Sequence, residues 1–236
     1  MKTVLLRLEG PLQSWGTESR FGHRDTQREP SKSGVLGLVG AALGMPRDDD
    51  QTVARLAAAR MAVRVDREGA VLSDYHTAGG GTYRGEPHSV FGAKNPVLTT
   101  RHYLSSASFL AALSFDDEPF GARVHEALGS PRWELTLGRR ACPPSVPVQA
   151  GIVGEDAEEA LRRAVFEAES PTKSPLRLVV ECAPSADGSE PRQDQPISFR
   201  LHHRAFARRW VRTAWIEPSE LTTRPSQVSI VGILGG

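Results

Sequence analysis

Lysine is scarce in this chain: of 29 basic residues only four are lysine (Lys2, Lys32, Lys94 and Lys173), leaving 25 arginines. Cysteine is scarcer still. Cys142 and Cys182 stand alone, with no CxxC or Cys/His spacing, which excludes a structural zinc site and a disulfide framework. They read as two buried thiols of a reducing compartment. A long hydrophobic run is also missing. The apolar start Val4-Leu5-Leu6 is broken by Arg7 and Glu9, too early for a signal peptide or a membrane span. A cytoplasmic protein without membrane contact is expected. No Ser/His/Asp order, HExxH or paired carboxylates stand out, so a hydrolase has little to rest on. No repeat or coiled coil is present.

What is there suits a globular protein. The 236 residues, 39% hydrophobic and 24% charged, are ample for a core without disulfides or metals. The net charge of +1 hides an uneven distribution. Phe199 to Arg212 holds Arg200, Arg204, Arg208, Arg209 and Arg212 with no acid, whereas Glu155 to Glu169 holds six acids against Arg162 and Arg163. Arginines interleaved with Phe199, Phe206 and Trp210 suit a polyanion whose bases can stack. A solvated edge strand, or a GC-rich genome, would give the same bias.

Periodicity outlines an α+β chain. Alternation marks a half-buried strand at residues 2–9. Ser31-Lys32-Ser33 opens an apolar helix from about Gly34 to Met45, and Asp48-Asp49-Asp50 opens a second to about Ala59. Residues 61–65 read as a strand, with 70–76 pairing against it as a hairpin. A glycine- and proline-rich excursion covers 78–100. A long strand is expected at 104–115, a helix at 119–128 and a strand at 133–137. This is the order of a ferredoxin-like βαββαβ fold, shared by RNA-recognition modules. Further on come a helix near 155–168, a strand near 175–183, a polar loop at 184–196 and a basic strand pair near 197–215.

Several motifs carry chemistry. Gly34, Gly37 and Gly40 are spaced GxxGxxG inside a helix, which rules out a dinucleotide loop and suggests close approach to the sheet. Ser31 to Gly34 offers helix-start N–H groups to one phosphate. Tyr75-His76-Thr77, Tyr83-Arg84-Gly85 and Arg101-His102-Tyr103 bracket the excursion. They can be read as acid–base groups for RNA cleavage, as stacking faces and phosphate grips, or as a polar hairpin. Gly138-Arg139-Arg140-Ala141-Cys142-Pro143-Pro144 is a basic turn, open to phosphate or simply to solvent.

An ordered set of segments resembles one family. It comprises Leu8 to Gly16, Pro30 to Leu38, Asp74 to Thr77, Tyr83 to Gly85, Tyr103-Leu104 with Ala107 to Phe109, and Leu137 to Pro143. The set resembles the CasD family, the fifth Cas family of the RAMP superfamily, found in the type I-E CRISPR surveillance complex called Cascade. The resemblance covers nearly all of 1–148 and, more loosely, 199–211. It implies a ferredoxin-like RAMP palm over 1–148 with a protruding β-hairpin thumb inserted at about 77–102. A smaller, β-rich C-terminal extension over 149–236 would pack on that palm.

The implied function is a non-catalytic cap in antiviral defence that binds the 5′ handle of CRISPR RNA. Its partners would be that RNA, the Cascade backbone subunits and the large subunit, with no cofactor, no metal and no membrane. Relatives of subtype I-C cleave RNA themselves, so a metal-independent repeat endonuclease is the alternative. On this reading Arg20, Arg24, Arg28, Lys32 and Ser33 line a phosphate track. Tyr75, His76, Tyr83, Arg84 and Arg101 act at the thumb base, and Arg139, Arg140, Arg204 and Arg208 add phosphate or base-edge contacts.

Overall fold

The computed structural model describes residues 1–17, 22–78, 81–83, 86–88, 96–168 and 174–225. In chain order, β1 (Lys2–Glu9), β2 (Leu12–Gln13) and β3 (His23–Arg24) precede α1 (Lys32–Leu43) and α2 (Asp50–Ala57). Then come β4 (Arg60–Arg67), β5 (Ala70–Ala78), β6 (Gly81–Tyr83), β7 (Glu86–His88), β8 (Val97–Ser105) and β9 (Ser108–Phe115). After these follow α3 (Glu118–Gly129), β10 (Gln149–Val153), α4 (Ala157–Arg163), β11 (Phe166–Ala168), β12 (Leu176–Cys182), β13 (Glu190–Ser198), β14 (Ala205–Ile216) and β15 (Thr223–Pro225).

Seven strands form one antiparallel sheet in the order β10-β1-β9-β4-β12-β14-β13. Its central strands bury both faces, so β1 is covered on two sides rather than half-buried as its alternation suggested. Val4, Leu6 and Leu8 enter one core with α1, α2 and α3, while Leu5 enters a second core with α4. Alternation across β4 and β9 divides in the same way: Val63 and Phe109 belong to the first core, Ala62 and Leu110 to the second. The sheet also runs across the boundary expected at 148/149. β10 pairs with β1, and β12, β14 and β13 extend the sheet from β4.

A buried arginine fixes the second face. Arg64 on β4 donates to the carbonyls of Leu161, Ala164 and Val165 at the end of α4 and to Asp66 at 2.6 Å. It therefore satisfies carbonyls that the helix end leaves free. Burial pushes the Asp66 carboxyl up from its ordinary pKa, and the Arg64 charge opposes that shift.

Four expected elements differ. Residues 70–78 do not fold back on β4. β4 and β9 pair as far as Arg67↔Ser108, the chain turns at Gly69 (φ 70°) and Ser106 (φ 58°), and the same two limbs continue as the β5–β8 hairpin from Ala70↔Ser105 to Ala78↔Val97. The single strand expected at 104–115 is thus two. Residues 133–137 form no strand, because Trp133 N–H donates to the Ala41 carbonyl and holds that segment against α1; β10 occupies the sheet position instead. The polar loop expected at 184–196 is largely β13.

The GxxGxxG stripe does not bring α1 close to the sheet. A Cβ at Gly34 would stand 2.8 Å from the Trp15 ring and one at Gly40 2.6 Å from Met45, whereas one at Gly37 would meet nothing within 4 Å. Gly138 is a different case. It sits at φ 92°, and a Cβ there would lie 1.7 Å from the Ser14 carbonyl oxygen. Gly138→Ala should therefore cost at least ~1–3 kcal/mol of stability. Gly37→Ala should be neutral or stabilise by about 0.5–1 kcal/mol. Thermal unfolding of both variants checks this, and equal effects would contradict it.

Candidate nucleic-acid interface

The start of α1 is built from distant parts of the chain. Ser31 is its N-cap, but the Ser31 side chain makes no cap bond. Asp194 on β13 takes that role: its Oδ2 accepts from the Lys32 N–H at 2.7 Å. The same carboxylate holds Arg209 on β14 through bonds of 2.6 and 3.0 Å. The Lys32 ammonium points inward as well, donating to Glu181 on β12 at 2.9 and 3.1 Å. Glu181 also accepts from the Met61 N–H at 3.1 Å.

Lys32 is therefore a buried structural cation, 1% exposed, and not a member of a phosphate track. Burial holds its pKa below the ordinary lysine value, with the Glu181 charge opposing. One helix-start N–H offered to a phosphate, that of Lys32, is likewise already taken by Asp194.

Beside this helix start lies an open concavity of about 450 Å³. Arg24, Ser33, Arg139 and Arg204 line it, and Phe199 and Phe206, edge to face at 6.5 Å, line its wall. Arg24 stands on β3 opposite Arg101, since β3 pairs parallel with β8. Arg139 is a rivet of the fold. It donates to the carbonyls of His102 at 3.2 Å, Arg24 at 2.9 Å and Asp25 at 3.3 Å, and its guanidinium stacks over Tyr103 at 4.7 Å. It locks the 138–142 turn onto β3 and β8. Arg204 has no ion pair among the described residues, and desolvation, then the neighbouring Arg47 charge, lower its pKa from the usual arginine value.

The structure thus brings Arg24, Ser33, Arg101, Arg139 and Arg204 to one region. Arg140 is exposed on the adjacent turn. Arg28 is exposed in a separate recess with Glu29, Glu68, Arg177 and Arg192, and Arg208 is exposed on β14. Tyr75 (69% exposed) and His76 stand out on the hairpin limb, with His76 Nδ1 3.9 Å from Asp74. Arg20 and Arg84 lie outside the described residues, as does the Tyr83 side chain.

The basic stretch is largely neutralised within the fold. Arg200 pairs with Asp50 at 2.9 Å, Arg209 with Asp194, and Arg212 with Glu158 of α4. The positive and negative segments therefore touch, and the dipole suggested by their separation in sequence shrinks to Arg204 and Arg208. Sequence reasoning missed Asp194 and Glu181, because nothing local marks an acid as the partner of a helix 150 residues away.

A family model described as CRISPR-associated protein (Cas_Cas5) matches residues 3–212. The chain belongs to the Cas5 family. It is 37% identical over 172 residues to the CRISPR system Cascade subunit CasD of Escherichia coli (strain K12), covering 67% of this chain and 75% of that protein. A solved structure described as "Crystal structure of Cas protein" superposes with a TM-score of 0.75 at 37% identity, covering 94% of this chain and 99% of the other. One described as "CRISPR RNA-guided surveillance complex" does so with a TM-score of 0.74 at 32% identity, covering 95% of each chain. The Cas5 match spans every residue that lines the concavity.

Asp194→Ala would leave the first N–H of α1 without its acceptor and buried Arg209 with only its 3.9 Å contact to Glu181, at a cost of about 3–5 kcal/mol. Arg28→Ala, on the exposed rim, should change stability by less than about 0.5 kcal/mol. Denaturant unfolding of the two variants tests the contrast, and a mild effect of Asp194→Ala would contradict this account of the helix start.

Proposed function

We propose that the chain is a non-catalytic subunit of a type I-E Cascade complex that binds the 5′ handle of its CRISPR RNA. The observation carrying this is the 95% coverage at TM-score 0.74 of a chain in a CRISPR RNA-guided surveillance complex. The arginine-lined concavity gives the reading a physical basis, since phosphate is gripped by guanidinium forks and single strands are held by stacking. The backbone subunits and the large subunit are the proposed protein partners, and the cytoplasm the proposed location.

In the same reading β1-α1-β4-β9-α3-β10, with spatial order β10-β1-β9-β4, is a ferredoxin-like palm. The β5–β8 hairpin is its thumb. Val71, Leu72, Tyr75, Val97 and Leu98 are exposed on that hairpin, which supports contact with a neighbouring subunit. The strands β12, β14 and β13 are the C-terminal extension, packed edge to edge on the palm. The RNA track consists of Arg24, Ser33, Arg101, Arg139, Arg140 and Arg204, with Arg28, Arg208, Tyr75 and His76 nearer its ends.

Purified chain incubated with end-labelled CRISPR repeat RNA, on native and denaturing gels, tests the reading. The RNA should shift and remain intact, and it should remain equally uncut with a His76→Ala variant. A new 5′ end that disappears in that variant would establish the endonuclease instead. With about five phosphates neutralised, log affinity should fall against log salt with a slope near −3.5. A flat salt response would overturn the phosphate track. Charge reversal of Glu159, which pairs with Arg163 on the opposite face of the sheet, should leave RNA retention unchanged.

A further inference from the structure

The concavity at the start of α1 does not end there. It meets a second one, of about 290 Å³, at Ser33, Gly34, Gly138, Phe199 and Arg204. The second recess runs along α1 from Ser33 to Ala41, about 12 Å at 1.5 Å per residue. A stacked strand advances about 3.4 Å per nucleotide, so this channel is longer than one nucleotide.

Three features of its lining are chemically specific. Gly37 leaves the helix surface bare where any side chain would project into the channel. Trp133 is 47% exposed, held in place through its own backbone N–H on the Ala41 carbonyl. Arg47 and Arg204 have no ion pair among the described residues, and each raises the positive potential felt by the other. Arg200 nearby is neutralised by Asp50, so the unpaired state of these two is not general to the segment. Across both recesses four arginines face one acid, Asp25. Such a channel is complementary to a chain of phosphates carrying a planar base.

We propose that the two recesses form one groove that carries single-stranded RNA over α1, with Arg204 and Arg47 on successive phosphates and a base stacked on Trp133. This rests on the RNA-binding reading above and names a second, unassigned stretch of the same site. Gly37 is the residue whose missing side chain keeps the groove open.

The test uses the full chain, end-labelled CRISPR repeat RNA and equilibrium binding at fixed salt. Gly37→Leu fills the channel with a better helix former, and its unfolding temperature should not fall. Trp133→Ala removes the stacking face, Trp133→Phe restores it, and Arg47→Glu reverses a grip. Arg123→Glu, exposed on α3 and away from the groove, is the charge control. Gly37→Leu, Trp133→Ala and Arg47→Glu should each weaken binding about tenfold or more, with Trp133→Phe and Arg123→Glu within about twofold of the parent. Parent-like affinity in Gly37→Leu and Trp133→Ala would overturn the groove while leaving RNA binding intact. Equal losses in Arg47→Glu and Arg123→Glu would likewise overturn it, in favour of diffuse attraction. Failure of the parent chain to bind the RNA would overturn both readings.

Discussion

The carboxylate of Asp194 is the contact on which the arrangement depends. It accepts the first N–H of α1 and grips Arg209, so a helix from the first quarter of the chain is fastened to two strands from the last. Lys32 extends that junction to Glu181, and Glu181 to the start of β4. Charges buried in this way are tolerated only when each has its partner, which makes the junction rigid and unforgiving. Its consequence is positional. The helix start, the Phe199–Phe206 pair and Arg204 come to share one wall only because β13 and β14 are tied to α1.

Charge placement follows the same logic. Many described arginines are spent inside the fold, among them Arg64 on the end of α4, Arg139 on three carbonyls, and Arg177, Arg200, Arg209 and Arg212 on carboxylates. This is why a net charge of +1 is compatible with a basic site. Arg24, Arg204 and Arg47, which have no acidic partner among the described residues, border one continuous concavity. The acidic helix α4 covers the other face of the sheet, where its Glu158 neutralises Arg212 and its apolar side packs on the second core.

The periodic elements were legible in the sequence because each is written locally. α1, α3, α4, β4 and β12 lie within a few residues of where alternation and capping put them. The β5–β8 hairpin was not read correctly, because its departure from β4 rests on left-handed turns at Gly69 and Ser106 rather than on alternation. Trp133 to Leu137 alternates like a strand yet is held as an irregular segment by hydrogen bonds to α1. Lys32 carries no local sign of burial, since Glu181 lies 149 residues away. Of the residues that line the concavity, residue type and motif single out Arg24, Ser33, Arg139 and Arg204. Arg47, Gly37 and Trp133 become visible only when α1, the 131–138 segment and the β13–β14 connection are seen side by side.

The central claim is that RNA lies on the α1 side of the seven-stranded sheet, along the arginines that have no acidic partner among the described residues. Photo-crosslinking with thiouridine-substituted repeat RNA, followed by mapping of the modified peptides, tests it most directly. Crosslinks should fall within residues 22–47, 99–103, 131–140 and 199–208. Crosslinks concentrated on α4 would put the RNA on the other face of the sheet, and crosslinks concentrated on the outer surface of α3 would put it away from these arginines; either result would contradict the account.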